Sequence, residues 1–178
     1  GYSGTSTREI AEAAGVTKGL LFYHFQTKER LYLTVIENMV KAFQAIVIPR
    51  ADGVDRMTHV RNFVDGYTDL LLEHSHIQKL IARELMDEGK YHRKIIDEYL
   101  MPLYNFGVEF LKAGIADGDF RPVDPFTFIQ MLAASNTMYV IALPLHERLL
   151  GQNPLSPEVL AHRKEQLAGN FVRMVQKD

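Results

Sequence analysis

The chain has 178 residues, of which 47% are apolar, and it carries 20 Lys and Arg against 22 Asp and Glu, a net charge of −2. This composition is typical of a soluble globular protein with one or two domains. The absence of cysteine excludes disulfides and thiolate metal sites. No apolar run approaches the ~18 residues of a membrane span and no secretory signal is visible, so we predict a cytoplasmic protein without membrane contact.

The first part of the chain predicts short helices. Apolar residues recur at spacings of three and four almost throughout, and alternating β-rich runs are absent, so we predict an all-α fold. Ser6 or Thr7 can cap a first short helix, which Gly15 ends. Thr17 caps a second short helix that runs to about Phe25.

A long third helix begins after Thr27 and carries one apolar stripe. Pro49, followed by Ala-Asp-Gly, ends it and marks a boundary between residues 1–48 and residues 49–178. Beyond this boundary, the periodicity predicts helices at about 54–74, 76–88, 91–116, 125–142 and 156–176.

Two prolines fall inside helical patterns of the sequence. Pro102 and Pro144 each remove one backbone donor, so we expect a kink or a break at each.

The turn Gly15-Val16-Thr17 between the first two helices has the length found in a helix-turn-helix, whose second helix enters the DNA major groove. Leu21 and Phe25 lie four residues apart and are expected to form the inward face of that second helix. They would pack against Ile10, Ala14 and Val16. The other large apolar residues of the second helix are then left on a solvated surface, which indicates a partner.

The string "TSTREIAEAAGVTKGLLFYHFQTKERL", residues 5–31, resembles the DNA-binding segment of the TetR family of transcriptional regulators. The stretch "GIADGDFRPVDP", residues 114–125, resembles a loop that precedes the dimerisation helices of that family. The resemblance implies a partial helix-turn-helix DNA-binding domain at 1–48. It also implies a larger helical domain at 49–178 that binds a small ligand and dimerises.

The resemblance also implies which residues contact double-stranded operator DNA. Those at base-contacting positions are Lys18, Gly19, Leu20 and Phe22. Those at positions that contact phosphates are Tyr23, His24 and Lys28, and those that hold the DNA backbone from the preceding helix are Ser6, Thr7 and Arg8. Thr17, which caps the second helix, is included with them. The chemistry is suitable, because a lysine can reach guanine acceptors and apolar groups can pack on a thymine methyl. Alternatively, Phe22 and Tyr23 could pack against the third helix.

Two departures from the family pattern limit this comparison. The family usually has Tyr at the position of Phe22 and a small residue at the position of Leu20, so the operator sequence cannot be inferred. The chain also begins where the family would already have completed a first helix. We therefore expect the 178-residue chain alone to bind DNA poorly.

The resemblance pairs the last two long helices with those of a second copy, in a homodimer. The candidate interface residues are Phe128, Leu132, Ser135, Leu160, Leu167, Phe171 and Met174. The alternative is an ordinary core within one chain.

The middle helices are rich in aromatic residues and methionine, the composition of an apolar pocket. The candidate residues for binding an unknown small molecule are Tyr67, Arg83, Met86, Tyr99, Tyr104, Phe128, Met131 and Tyr139. Arg83 and Glu84 could place a charge near the pocket, or they could form a solvated ion pair.

Glu73 and His76 have the Glu-x-x-His spacing of di-iron bundles, but those sites need a second such motif, so we expect no metal. No cofactor motif and no convergent set of acid, base or nucleophilic groups is visible. We therefore predict a regulator rather than an enzyme, a repressor that a ligand releases from DNA. The alternatives are a small helical enzyme and a helical dimerisation module that does not bind DNA.

Overall fold

The computed structural model of the protein describes residues 2–47 and 54–177, and every regular element within those ranges is a helix. The all-α prediction is therefore confirmed. The first three helices are α1 (Thr7–Ala13), α2 (Lys18–Phe25) and α3 (Lys28–Val47). The others are α4 (Arg56–Glu73), α5 (Ser75–Met86), α6 (92–116), α7 (Pro125–Ile141), α8 (Leu143–Leu150) and α9 (Pro157–Val175). The boundary predicted at Pro49 lies outside the described residues.

Local hydrogen bonds fix the ends of the two short helices. The Ser6 hydroxyl accepts from the Glu9 N–H, and the Glu9 carboxylate accepts from the Ser6 N–H at 2.6 Å, which completes a capping box on α1. These bonds also lower the pKa of Glu9. The Thr17 hydroxyl accepts from the Leu20 N–H at 3.1 Å. Gly15 has a φ of +67°, the left-handed conformation that commonly ends a helix.

Both internal prolines coincide with departures from a regular α-helix. Pro102 follows a π-helical stretch, Ile95–Leu100, within α6. A proline offers no N–H to the carbonyl four residues earlier and crowds it, so a wider turn accommodates the ring. The helix is interrupted at Ala142, and the axes of α7 and α8 form an angle of 81°.

The short helix α8 was not predicted as a separate element. Its Pro144 occupies the second helical position, where the N–H has no partner within the helix in any case. Among the described residues no single helix has the length and apolar character of a membrane span. The pair α7 and α8 meets those criteria only across its 81° bend.

Two apolar cores hold the helices together. The first joins α3, α4, α5 and the start of α6 through Tyr32, Leu33, Ile36, Met39, Leu71, Ile77, Ile81, Tyr91, Ile95 and Tyr99. The second joins α4, α6, α7 and α9 through Val60, Val64, Leu111, Phe120, Phe128, Leu132, Ala168, Phe171 and Val175. Since α3 belongs to the first core and also packs against α2, it connects the two short helices with the rest of the protein.

Candidate DNA-reading helix and ligand cavity

The second short helix, α2, has large apolar side chains on its solvent side. Leu20 is 45% exposed, Phe22 is 36% exposed and Tyr23 is 80% exposed. Tyr23 therefore does not pack against α3, as the alternative interpretation required. An exposed cluster of this kind on a small helical unit is typical of a binding surface.

The inward side of the helix-turn-helix is smaller than predicted. Leu21 and Ala11 are the buried residues of α2 and α1, while Ile10 and Phe25 are half-buried. Ala14 and Val16, which the sequence placed on the inward face, are exposed. Val16 lies beyond the end of α1, so the helical spacing on which that prediction depended does not extend to it.

Polar groups surround the exposed apolar cluster on α2. The Lys18 ammonium lies 5.5 Å from the centre of the Phe22 ring, and the rings of Tyr23 and His24 lie 5.3 Å apart. A Cβ added at Gly19 would meet only the Thr17 hydroxyl oxygen at 3.9 Å. The described packing of the chain therefore does not require glycine at this position. A DNA backbone that approached this close would require it.

The other predicted DNA-contacting residues lie at the first turns of α1 and α3. Ser6 already uses its hydroxyl oxygen in the α1 cap, Thr7 is half-buried, and the exposed Arg8 forms an ion pair with Glu12 at 2.8 Å. Lys28 is half-buried, donates to the Tyr2 carbonyl and lies 4.4 Å from the centre of the Tyr2 ring. Its ammonium is therefore held within the protein.

A cavity of about 470 Å³ lies between α3, α4, α5, α6 and α7. Four of the predicted ligand-binding residues line it: Tyr67, Met86, Tyr104 and Phe128. No Asp, Glu, Lys or Arg is among the lining residues that the structure describes. Burial raises the pKa of both Tyr67 and Tyr104, so their hydroxyls stay protonated at neutral pH.

The other four predicted ligand-binding residues lie outside this cavity. Tyr99 is buried in the first core and donates to Glu37 at 3.0 Å, and Tyr139 is buried and donates to the Pro154 carbonyl at 2.6 Å. Met131 is 44% exposed and Arg83 is exposed. Helical periodicity identifies apolar faces, but it does not separate residues around a cavity from residues in a filled core.

The polar pair that lines this cavity was not singled out from the sequence. The Gln78 amide of α5 donates to the Thr137 hydroxyl of α7 at 2.6 Å, and both residues line the cavity. The sequence feature that could have indicated this pair is the position of Gln78, a polar residue on the apolar side of α5 beside Ile77 and Ile81.

Glu84 joins α5 to the helix-turn-helix side of the protein. It is 8% exposed, and its carboxylate accepts from the Tyr32 hydroxyl of α3 at 3.0 Å and from the Tyr91 N–H at 2.6 Å. A Cβ added at Gly89 would lie 2.5 Å from this carboxylate, so a glycine is needed for the turn to cover it. The solvated ion pair considered for Arg83 and Glu84 therefore does not describe Glu84.

Aromatic rings surround this buried carboxylate. The Tyr2 ring lies 5.2 Å from the Tyr32 ring and 4.8 Å from the Tyr91 ring, centre to centre, and both pairs are edge-to-face. Burial and the contact with Glu84 raise the pKa of Tyr32, and burial raises the pKa of Tyr91 to about 12.

Three of the predicted dimer-interface residues belong instead to the second core. Phe128, Leu132 and Phe171 are 5%, 2% and 3% exposed, and the two phenylalanine rings lie 5.0 Å apart. The prediction that these three residues form the dimer interface is therefore wrong. They are core residues, because side chains this buried have no surface left to contact a partner. Ser135, Leu160, Leu167 and Met174 are half-buried at the surface of α7 and α9.

In the described part of the fold, no other side chains complete a metal site with the Glu-x-x-His motif of Glu73 and His76. The rings of His74 and His76 lie 6.4 Å apart. Within residues 2–47 and 54–177, no group of three His, Asp or Glu side chains is arranged to hold a metal ion.

Comparison with known families identifies both parts of the chain. Residues 1–35 match the family described as bacterial regulatory proteins, tetR family, and residues 57–172 match the family described as tetracyclin repressor-like, C-terminal domain. The second match alone spans more than half of the chain.

Individual relatives agree with these matches. The transcriptional regulator RutR of Escherichia coli K12 is 23% identical over 151 residues, which cover 85% of this chain and 71% of RutR. The transcriptional repressor NicS of Pseudomonas putida is 27% identical over 138 residues, covering 76% of this chain and 65% of NicS. The TetR-family regulator PfmR of Thermus thermophilus has a similar fold, with a TM-score of 0.75 at 17% identity over 99% of this chain and 92% of PfmR.

Proposed function

Because the chain belongs to the TetR family and is a DNA-binding transcriptional regulator, we propose that it represses transcription as a homodimer and leaves its operator when a small molecule occupies the cavity. The observation that carries this proposal is the position of α3. This helix packs against the exposed reading helix α2, and it lines the cavity through Met39, Val40 and Phe43.

The DNA-binding part of the proposal assigns base contacts to the exposed face of α2. Lys18 would reach guanine acceptors, and Leu20 and Phe22 would pack on thymine methyl groups, while Tyr23 and His24 would donate to phosphates. Ser6, Thr7, Arg8 and Thr17 would position the backbone at the first turns of α1 and α2. Lys28 would have to exchange its contact with Tyr2 for a phosphate.

We assign the dimer interface to the exposed faces of α7 and α9. Met131 and Met138 are 44% and 56% exposed, and they lie seven residues apart on one face of α7. Half-buried Leu160 and Leu167 of α9 would extend this apolar surface. A second copy that covers it would place two reading helices on successive half-sites of the DNA.

Met138→Glu is expected to weaken the dimer. Two carboxylates, one from each copy, would be buried without partners, so we expect the dimer dissociation constant to rise roughly 100-fold. Met101→Glu, at an exposed methionine of α6, is the matched control and should leave the dimer intact. Sedimentation of both variants over a range of concentrations gives the result, and a dimeric Met138→Glu protein would contradict the assigned interface.

The proposed release is a shift between two arrangements of α3. A ligand in the cavity contacts Met39, Val40 and Phe43, so it can favour an arrangement in which the two reading helices no longer match the spacing of the half-sites. The Tyr32 hydroxyl of α3 donates to Glu84 and so attaches α3 to α5, which also lines the cavity, while the Tyr91 N–H ties the turn before α6 to the same carboxylate. By linkage, bound DNA must weaken ligand binding by the same factor as ligand weakens DNA binding.

Selection from a random pool of DNA duplexes tests the DNA-binding role. The protein should enrich an inverted repeat with half-site centres about 10 bp, or a multiple of that, apart. Affinity for the enriched sequence should fall steeply between about 50 and 200 mM salt. Recovery of no preferred sequence would favour a dimerisation module that does not read DNA.

A further inference from the structure

The lining of the cavity excludes charged ligands. The described residues around it contribute hydrocarbon and aromatic surface, and no ammonium, guanidinium or carboxylate group is among them. An ionised ligand group placed there would lose its hydration without gaining a counter-ion, which is strongly unfavourable. His59 lines the cavity as well, and its ring packs against that of Phe110, with 4.9 Å between centres and a tilt of 32°.

One pair of polar side chains in the cavity, Gln78 and Thr137, can satisfy a ligand oxygen. The Thr137 hydroxyl accepts a hydrogen bond from the Gln78 amide, so its own proton is available for an acceptor. The Gln78 carbonyl oxygen has no donor among the described residues and can accept from a hydroxyl. This pair can therefore bind an alcohol through two hydrogen bonds, or a ketone through one.

The volume limits the size of the ligand. A cavity of about 470 Å³ falls within the range of small-molecule sites. At about 30 Å³ for each water-sized group, it has room for on the order of 15 such groups. A ten-carbon chain with one oxygen fits within that limit.

We propose that the cavity binds an uncharged, mainly apolar alcohol or ketone, whose oxygen lies against the Gln78–Thr137 pair and whose hydrocarbon part contacts α3 at Met39 and Phe43. This inference rests on the proposed ligand-responsive function, and it specifies the class of ligand.

The test compares three probes with the same hydrocarbon chain: 1-decanol, decanoate and decylammonium. Binding is measured by calorimetry and by the shift in Tm, without DNA, at pH 8, where an ordinary histidine is neutral. We expect 1-decanol to bind at least ten-fold more tightly than either ion. Equal or tighter binding of decanoate or decylammonium, or the absence of 1-decanol binding up to its solubility limit, would overturn the proposal.

Two variants assign any binding to this cavity. Thr137→Val keeps the shape of the side chain and removes its hydroxyl, so it should weaken 1-decanol about five-fold and leave the weaker decanoate binding unchanged. Ala133→Phe, at another lining residue, should fill the cavity and abolish 1-decanol binding. Unchanged affinity for 1-decanol in Thr137→Val contradicts the proposal even if Ala133→Phe fails to fold.

A separate measurement distinguishes this inference from the proposed function. If 1-decanol binds as expected but the operator complex survives saturating 1-decanol, the ligand class is supported and the proposed release is wrong. If decanoate binds more tightly and releases the DNA, the proposed function is supported and the ligand class is wrong.

Discussion

Glu84→Ala is expected to lower the free energy of unfolding by about 3 kcal/mol. The change leaves two donors, the Tyr32 hydroxyl and the Tyr91 N–H, without their buried acceptor. Each unsatisfied buried donor costs about 1–3 kcal/mol, and the loss is partly offset because a buried carboxylate no longer has to be desolvated. Urea unfolding at equilibrium measures the difference.

Two further variants test whether the effect comes from these hydrogen bonds. Glu165→Ala removes an exposed glutamate from α9 and should change stability by less than about 0.5 kcal/mol. Tyr32→Phe removes one of the two donors and leaves the other bond, so its cost should be about 1 kcal/mol. If Glu84→Ala unfolds at the same urea concentration as the unaltered protein, the buried carboxylate does not stabilise the contact between α3 and α5.

The double variant Lys18→Ala, Tyr23→Ala is expected to lower affinity for the selected operator on the order of 100-fold. A lysine that contacts a base contributes about 1–3 kcal/mol, and loss of the neighbouring phosphate contact adds to this. Both side chains are exposed, and Tyr23 is 80% exposed, so the fold should be unaffected. Fluorescence anisotropy with labelled operator measures the affinity, and thermal unfolding confirms that stability is unchanged.

Lys41→Ala is the matched control for charge. Lys41 is an exposed lysine of α3 and lies about 20 Å along the helix axis from Lys28, at 1.5 Å per residue. Its loss removes the same charge as Lys18→Ala without altering the reading helix, so operator affinity should change less than about three-fold. If the double variant and the control bind equally well, α2 does not read the DNA.

The helix-turn-helix was predictable because its determinants are local. Ser6, Thr17 and Gly15 act on residues within four positions of themselves, through caps and a left-handed turn, so a short stretch of sequence contains all of these determinants. The alternation of long helices and turns after residue 54 was predictable for the same reason.

The cores, the cavity and the buried carboxylate depend on contacts between distant parts of the chain. Periodicity indicated that Phe128 and Phe171 share faces with other apolar residues, but which neighbour covers them is settled only by the packing of α7 and α9 on α4. Glu84 could not be assigned because its partner Tyr32 lies 52 residues earlier in the chain. An apolar helix face therefore predicts that its residues are buried. Which other helix covers that face can be read only from the three-dimensional structure.

The π-helical stretch Ile95–Leu100 affects which insertions and deletions the chain can accept. A π turn holds one more residue than an α turn, and each residue of an α-helix turns its side chain by about 100°. The wider turn absorbs this extra residue without rotating the helix that follows. Ile95 and Tyr99 within the stretch enter the first core, and Leu103 and Gly107 after it face the cavity. Deletion of one residue within this stretch can therefore restore a regular α turn and leave the cavity-lining half of α6 in place, whereas deletion of one residue elsewhere in α6 would turn that half by about 100°.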